Sequence, residues 1–146
     1  MRLMWLSDSS LIHTGFSNQS KLLMRTMQAR GHEIIHVAHN YIGQPITKTV
    51  IDDGEEINYK ILPGNPRQPF CGPQLLQEYI NAFRPDKFGS LLDSFMFWEP
   101  RGQYARPWIM DVHLPKSYYW IPSDGGWFPE GCENIVRRFD KPVSMS

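Results

Sequence analysis

The chain alternates short apolar runs with longer segments in which apolar residues recur every three or four positions. Arg2–Leu6 (RLMWL) is an apolar run closed by Ser7-Asp8-Ser9-Ser10, which predicts a strand feeding a polar loop. After His13-Thr14-Gly15, the positions Phe16, Ser20, Leu23, Met24 and Met27 keep helical spacing, and Arg30-Gly31 closes the segment with a basic residue and a glycine stop. His32–Ala38 (HEIIHVA) is a second β-type run. Strand, glycine-containing turn, helix, glycine stop and strand together make the βαβ unit of an open parallel sheet.

The middle of the chain changes period. Ile46–Ile51 (ITKTVI) and Ile57–Leu62 (INYKIL) flank Asp52-Asp53-Gly54-Glu55, which predicts a two-strand hairpin. Pro63–Pro73 is rich in proline and glycine and reads as a loop. Leu75, Leu76, Tyr79, Ile80 and Phe83 then mark an amphipathic helix stopped at Arg84-Pro85. Asp86–Leu92 (DKFGSLL) is the expected third parallel strand, ending at Asp93. Phe95–Tyr104 suggests a short helix interrupted by Pro100 and Gly102. Ser117–Pro122 (SYYWIP) is a strand leading to Ser123-Asp124-Gly125-Gly126; Glu130–Phe139 is a short helix, and residues 140–146 begin another strand. The fold class expected is α/β: a Rossmann-like open parallel sheet with helices on both faces, plus a β-hairpin insertion.

Composition narrows the class. At 146 residues the chain corresponds to a single domain, 1–146, long enough to bury a substantial core. Fifteen Lys+Arg balance fifteen Asp+Glu, so no net charge grips nucleic acid or an anionic membrane. No apolar run is long enough to span a bilayer, and the N-terminal one stops at Leu6, too short for a signal peptide. Cys71 and Cys132 stand far apart with no metal-ligand spacing, so the expectation is a cytoplasmic chain with reduced thiols and no metal. Many of the five tryptophans and the other aromatics fall within 95–129, where they can serve as core or as faces for sugar stacking.

Candidate chemistry gathers where strands end. In open α/β sheets, ligands lie beyond the carboxyl ends of the strands, and Asp8, Asp93 and Asp124 all occupy that position. Gly15 opens a helix, whose N-terminus can accept an anion. There is no GxGxxG and no GxxxxGK[ST], however, so a dinucleotide or P-loop reading is weak. Asp93 has a second explanation as a helix cap, and Asp124-Gly125-Gly126 a second explanation as a plain turn. His13 lies in the candidate ligand loop. His36 lies in a strand-type run and His39 just after it, where their spacing puts them on opposite faces and argues against shared metal ligation.

An ordered set of segments resembles the N-terminal half of a family-four-type glycosyltransferase of the GT-B fold. These are MRLMWLSDSSLIHTGFSNQSKLLMRTMQARGHEI with its Thr14-Gly15-Phe16 turn, NYIGQP, FRPDKFGSLLD, YYWIPSDG and RRFDKPVSMS. The resemblance implies an acceptor-side Rossmann-like domain that transfers a glycosyl group from a nucleotide-sugar when joined to a donor-binding C-terminal half. That half, with its basic pair and E-x7-E motif, is not in this sequence. The nucleotide-sugar is then a substrate and no cofactor is needed; the partners implied are the missing half or a second copy, and a carbohydrate or glycosylated acceptor. By the same resemblance Thr14, Gly15 and Phe16 lie near the donor phosphates; the strand-end and loop reading adds His13, Asp93 and Gly125 as substrate- or phosphate-binding candidates. Asp124 stands at the reacting sugar as the catalytic candidate, where the family's histidine is replaced by Ser123. The alternative is a stand-alone, non-catalytic α/β binding or interaction module derived from that fold.

Overall fold

The computed structural model describes residues 1–52, 54–64, 71–98, 106–122 and 131–144. Six parallel strands form one sheet: β1 (Arg2–Ser7), β2 (Glu33–Ala38), β5 (Lys60–Pro63), β6 (Lys87–Leu91), β7 (Lys116–Ile121) and β8 (Lys141–Ser144). Their spatial order is β5-β2-β1-β6-β7-β8. Counting only the parallel strands, this is 3-2-1-4-5-6, the doubly wound Rossmann order, with its switch point between β1 and β6. A separate hairpin, β3 (Val50–Asp52) with β4 (Glu55–Ile57), completes the strands.

Helix α1 (Gly15–Ala29) begins where Thr14 caps it, the threonine hydroxyl accepting from Ser17 N at 3.0 Å. It ends in a Schellman turn: Gly31 sits at φ +80°, its N–H donates to Gln28 O, and His32 N–H donates to Met27 O. Helix α2 (Pro73–Phe83) starts with proline, whose missing N–H costs nothing in the first turn. It stops because Arg84 turns left-handed, at φ 46°, ahead of Pro85. A 3-10 turn, Ser94–Trp98, and a second, Trp108–Asp111, stand between β6 and β7, and α3 (Cys132–Arg138) joins β7 to β8.

Period-2 alternation along the strands separates two cores. On one face Met4, Leu6, Ile35, Val37, Phe88 and Tyr119 pack against Leu76 and Ile80 of α2, Ile135 of α3, and Phe97 and Trp108 of the 3-10 turns. This side is aromatic: the Tyr119 and Phe139 rings stack with centroids 4.9 Å apart, and Phe97 lies 5.4 Å from Trp108. On the other face Leu3, Trp5, Ile34 and Ile61 pack against Met24 of α1 and against Ile57 and Tyr59 of the hairpin segment. The helices do lie on both faces. No helix among the described residues is long and apolar enough to cross a membrane.

Two expectations need correction. The run 57–62 is not one hairpin strand: it splits after Ile57, and Lys60–Pro63 joins the main sheet in parallel register, from Ile35↔Lys60 to Ala38↔Pro63. The third parallel strand is therefore β5, and Lys87–Leu91 is the fourth. The cause is tertiary. Tyr59 turns inward onto the His36 ring, at 6.1 Å between centroids, and the open edge of β2 captures the residues that follow. What remains of ITKTVI serves two roles, with Ile46 bridging the outer edge of β5 at Ile61 and only Val50–Asp52 in the hairpin. The helix expected over 95–104 is the 3-10 turn Ser94–Trp98 within the described residues.

Trp5 anchors α1. Its indole lies over Gly89 of β6, where a Cβ would come within 2.4 Å of the ring, and its Nε1–H donates to Ser20 Oγ of α1 at 3.0 Å. Gly89→Ala is expected to force the indole off its seat and cost about 1–3 kcal/mol. Urea denaturation should show a lower midpoint at unchanged m-value; a midpoint equal to the parent's would refute this packing argument.

Candidate functional site at the strand ends

The carboxyl ends of β1 and β6 lie side by side at the switch point, with Ser7 in register with Leu91. Beyond them Asp8, Thr14, Gly15, Phe16, Asp93 and Met96 line an open pocket of about 270 Å³. Strand-end chemistry thus converges as the sequence pattern expects, and Thr14, Gly15, Phe16 and Asp93 come together. His13 is exposed on the same loop and does not line this pocket. Asp124 and Gly125 lie outside the described residues.

The Asp8 loop is held from beneath by a buried polar network. Ser7, Ser9, Ser10 and His36 are all inaccessible or nearly so. The His36 Nε2 contacts the Asp8 carbonyl at 3.1 Å and Ser7 Oγ at 3.1 Å, while Nδ1 lies 3.2 Å from Ser10 Oγ. A carbonyl can only accept, so these partners assign the proton to Nε2 and leave Nδ1 to accept from the Ser10 hydroxyl. Full burial pushes the His36 pKa down to about 3, against the smaller upward pull of the Asp8 and Ser7 backbone contacts. The ring is therefore a neutral clamp on the β1–α1 loop. His39, at the end of β2, is pushed down to about 4 by burial and accepts at Nδ1 from Cys71 N–H.

Above this clamp the Asp8 carboxylate is fixed at both oxygens. Thr14 Oγ1–H donates to Oδ2 at 2.8 Å, and Asn40 Nδ2–H donates to Oδ1 at 3.2 Å. Asn40 is in turn held by Ser9 N–H, which donates to its Oδ1 at 2.7 Å. One threonine therefore caps α1 and orients Asp8, which places a carboxylate beside the helix N-terminus, where the dipole favours it. Asp93 is positioned from the aromatic core. The Tyr119 hydroxyl donates to Leu92 O at 2.9 Å, and Trp108 Nε1–H donates to Met96 O at 3.0 Å, so the residues on either side of Asp93 are pinned. Phe16 and Met96 supply apolar wall.

Asn40 and Met96 were not among the residues the sequence singled out. Asn40 lies two residues past the end of β2 and so obeys the same strand-end rule that nominated Asp8 and Asp93. Met96 carries no chemistry that a sequence pattern would flag. No group of three or more His, Cys, Asp or Glu among the described residues is arranged to hold a metal ion.

Beside the first turn of α1 the pocket presents two carboxylates, Asp8 and Asp93. Carboxylates accept hydrogen bonds and repel anions, so two of them suit a ligand rich in hydroxyls and oppose a diphosphate docked at the same point. Comparison with protein-family models, with curated proteins and with solved structures finds no match for this chain.

The buried histidines make stability pH-dependent. Folded, both rings stay neutral well below pH 6; unfolded, each takes up a proton near its ordinary value of about 6.5. The unfolded chain therefore binds more protons between about pH 6.5 and the depressed folded values, and acid drives unfolding there. Each histidine steepens the loss by up to ~1.4 kcal/mol per pH unit. Urea midpoints should fall from pH 7 to pH 5, and His36→Gln, less stable at pH 7, should show a flatter profile. An unchanged slope would mean that His36 is not buried neutral.

Proposed function

We propose that this chain is the acceptor-side half of a GT-B-type glycosyltransferase and that the pocket at the β1/β6 switch point holds hydroxyl groups of a carbohydrate acceptor. The observation that carries this reading is the pair of strand-end carboxylates, Asp8 and Asp93, facing one pocket with the Thr14 cap and the Phe16 ring. Sugar hydroxyls donate to carboxylates, and an aromatic or apolar wall suits the C–H face of a pyranose. The Rossmann-like order and the ordered sequence segments agree with such a half. The pocket's two carboxylates favour the acceptor over the donor's phosphates as the ligand near Thr14-Gly15-Phe16, so the diphosphate would be neutralised by the partner half.

One observation favours a second reading, a binding module without transfer. Both Asp8 oxygens already accept a hydrogen bond, which suits a carboxylate that holds a hydroxyl rather than one that removes its proton. The catalytic candidate Asp124 belongs to the transferase reading alone.

Titration of the chain with uncharged methyl glycosides, followed by heteronuclear NMR, tests both readings. Shifts should appear at Gly15, Phe16 and Met96, and Asp93→Asn should weaken binding by about 5–10-fold, the worth of one hydrogen bond to a charged group. Shifts at these positions from a nucleotide-diphosphate sugar and none from uncharged glycosides would overturn the acceptor assignment. Glycosyl transfer by a reconstituted two-half enzyme, lost in Asp124→Asn, separates the transferase from the binding module.

A further inference from the structure

Among the described residues, the second core covers only half of its face of the sheet. Helix α1 packs over β1 and β2, and the hairpin segment flanks β2 and β5. Across β6, β7 and β8 the same face opens into a groove of about 250 Å³, lined by Leu3 and Trp5, by Leu23 and Met27 of α1, and by Gly89, Tyr118, Trp120 and Val143. Parallel sheets are ordinarily covered on both faces, because their crossovers lay helices there and their side chains are apolar on both. Val143 is 41% exposed here and Met1, at the groove's end, 42%. The Trp120 Nε1–H, buried beneath the groove, has no hydrogen-bond partner among the described residues.

The strands add a charge pattern that the groove alone does not have. On this face β6 reads Lys87-Gly89-Leu91, β7 reads Lys116-Tyr118-Trp120 and β8 reads Lys141-Val143, by strict alternation. Every one of these strands starts with lysine and continues apolar. Register places Lys87 beside Lys116, and Tyr118 beside Lys141, so two cations stand side by side and the third follows about two residues further along, a staggered row at the amino ends of the strands. Lys87 Nζ–H donates to Tyr118 Oη at 3.2 Å; that bond, followed by the charges of Lys87, Lys116 and Lys141, holds the phenol below its usual pKa. Asp140, the nearby carboxylate, is bound to Ser117 on the opposite parity; those bonds, with the charges of Lys116 and Arg138 adding to them, hold it below its usual range.

Dimensions select the occupant. Three strands about 4.8 Å apart leave a strip roughly 10 Å wide, one helix diameter. A helix beside α1, running as α1 runs, would bring its C-terminus over the amino ends of the strands. There its exposed carbonyls and the negative end of its dipole meet the lysine row. We infer that this half-face is the docking site of an amphipathic helix from a partner polypeptide, with an apolar stripe on Trp5, Trp120 and Val143 and carboxylates in its last turn over Lys87, Lys116 and Lys141. The inference is independent of the strand-end pocket and of what that pocket binds.

A stapled helical peptide of about 14 residues, matched to the ~20 Å length of a six-residue strand, tests this on the full chain. Two versions share one apolar stripe of Leu and Ala and differ only in whether three Glu lie in the last or the first turn. The version with Glu in the last turn should bind about tenfold tighter, as three exposed ion pairs allow, and should shift the NMR signals of Tyr118, Trp120 and Val143. Lys87→Gln/Lys116→Gln/Lys141→Gln should erase the preference while retaining the circular dichroism of the parent, and Val143→Glu should abolish binding of both versions. Equal affinity for the two versions, or binding of neither, would overturn the inference. So would lysine-dependent binding to phosphatidylglycerol vesicles without discrimination between the peptides, which would assign the face to a membrane surface.

Discussion

The indole of Trp5 is the contact that seats α1 on the sheet where its two halves, paired through β1 and β6, meet. It leaves β1 in the middle of the sheet, lies on the bare backbone of Gly89 in β6, meets Trp120 of β7 edge-on at 6.4 Å, and ties α1 down through Ser20. A single buried donor is thus satisfied by the helix it positions, so the seat of α1 and the register of its capping loop are set together. Ser17 and Ser20 are both buried on α1, which lets the helix approach the sheet closely enough for that bond. The strand-end pocket depends on this: its Thr14, Gly15 and Phe16 are the first turn of the helix that Trp5 holds.

From that anchor the polar chemistry is built in layers. The lowest is neutral: His36 with the Ser7 and Ser10 hydroxyls satisfies buried groups in a place where a charge would be costly. The next is the Asp8 carboxylate, fixed by Thr14 and Asn40 from two different crossovers. The outermost is the open pocket wall: Phe16 packs on the α1-side core, while Asp93 and Met96 take their position from the aromatic core on the opposite face. A pocket assembled from both cores at once has little freedom to deform. That rigidity is what a site recognising hydroxyl positions needs, and it supports the proposed carbohydrate acceptor.

The two features of greatest functional interest have opposite electrostatic character. The strand-end pocket gathers carboxylates beyond the carboxyl ends of the strands; the groove on the α1 face gathers lysines at their amino ends. A net charge of zero conceals this separation completely. Composition offered no net charge to grip nucleic acid or an anionic membrane, but it carried no information about where along the strands Asp8 and Asp93, or Lys87, Lys116 and Lys141, come to stand.

Local pattern was enough for most of the elements, because their signals lie within a few residues of each other. The Thr14 cap, the Gly31 stop and the Arg84-Pro85 stop act through adjacent backbone, so helices 15–29 and 73–83 could be read directly. The strand-end rule likewise pointed to Asp8, Asp93 and the Thr14-Gly15-Phe16 turn, since it needs only the places where apolar runs stop. Strand partnership was different: whether Lys60–Pro63 continues a hairpin or joins β2 depends on an edge more than twenty residues away, and no local period encodes that choice. The same holds for Asn40 as a support of Asp8 and for the lysine row, which exists only when three distant strands are placed in register. The sequence by itself determined the βαβ architecture and the ends at which chemistry gathers. The tertiary structure alone decided which strand is third, which groups meet, and which half of a sheet face stays open, because those are outcomes of long-range pairing and burial.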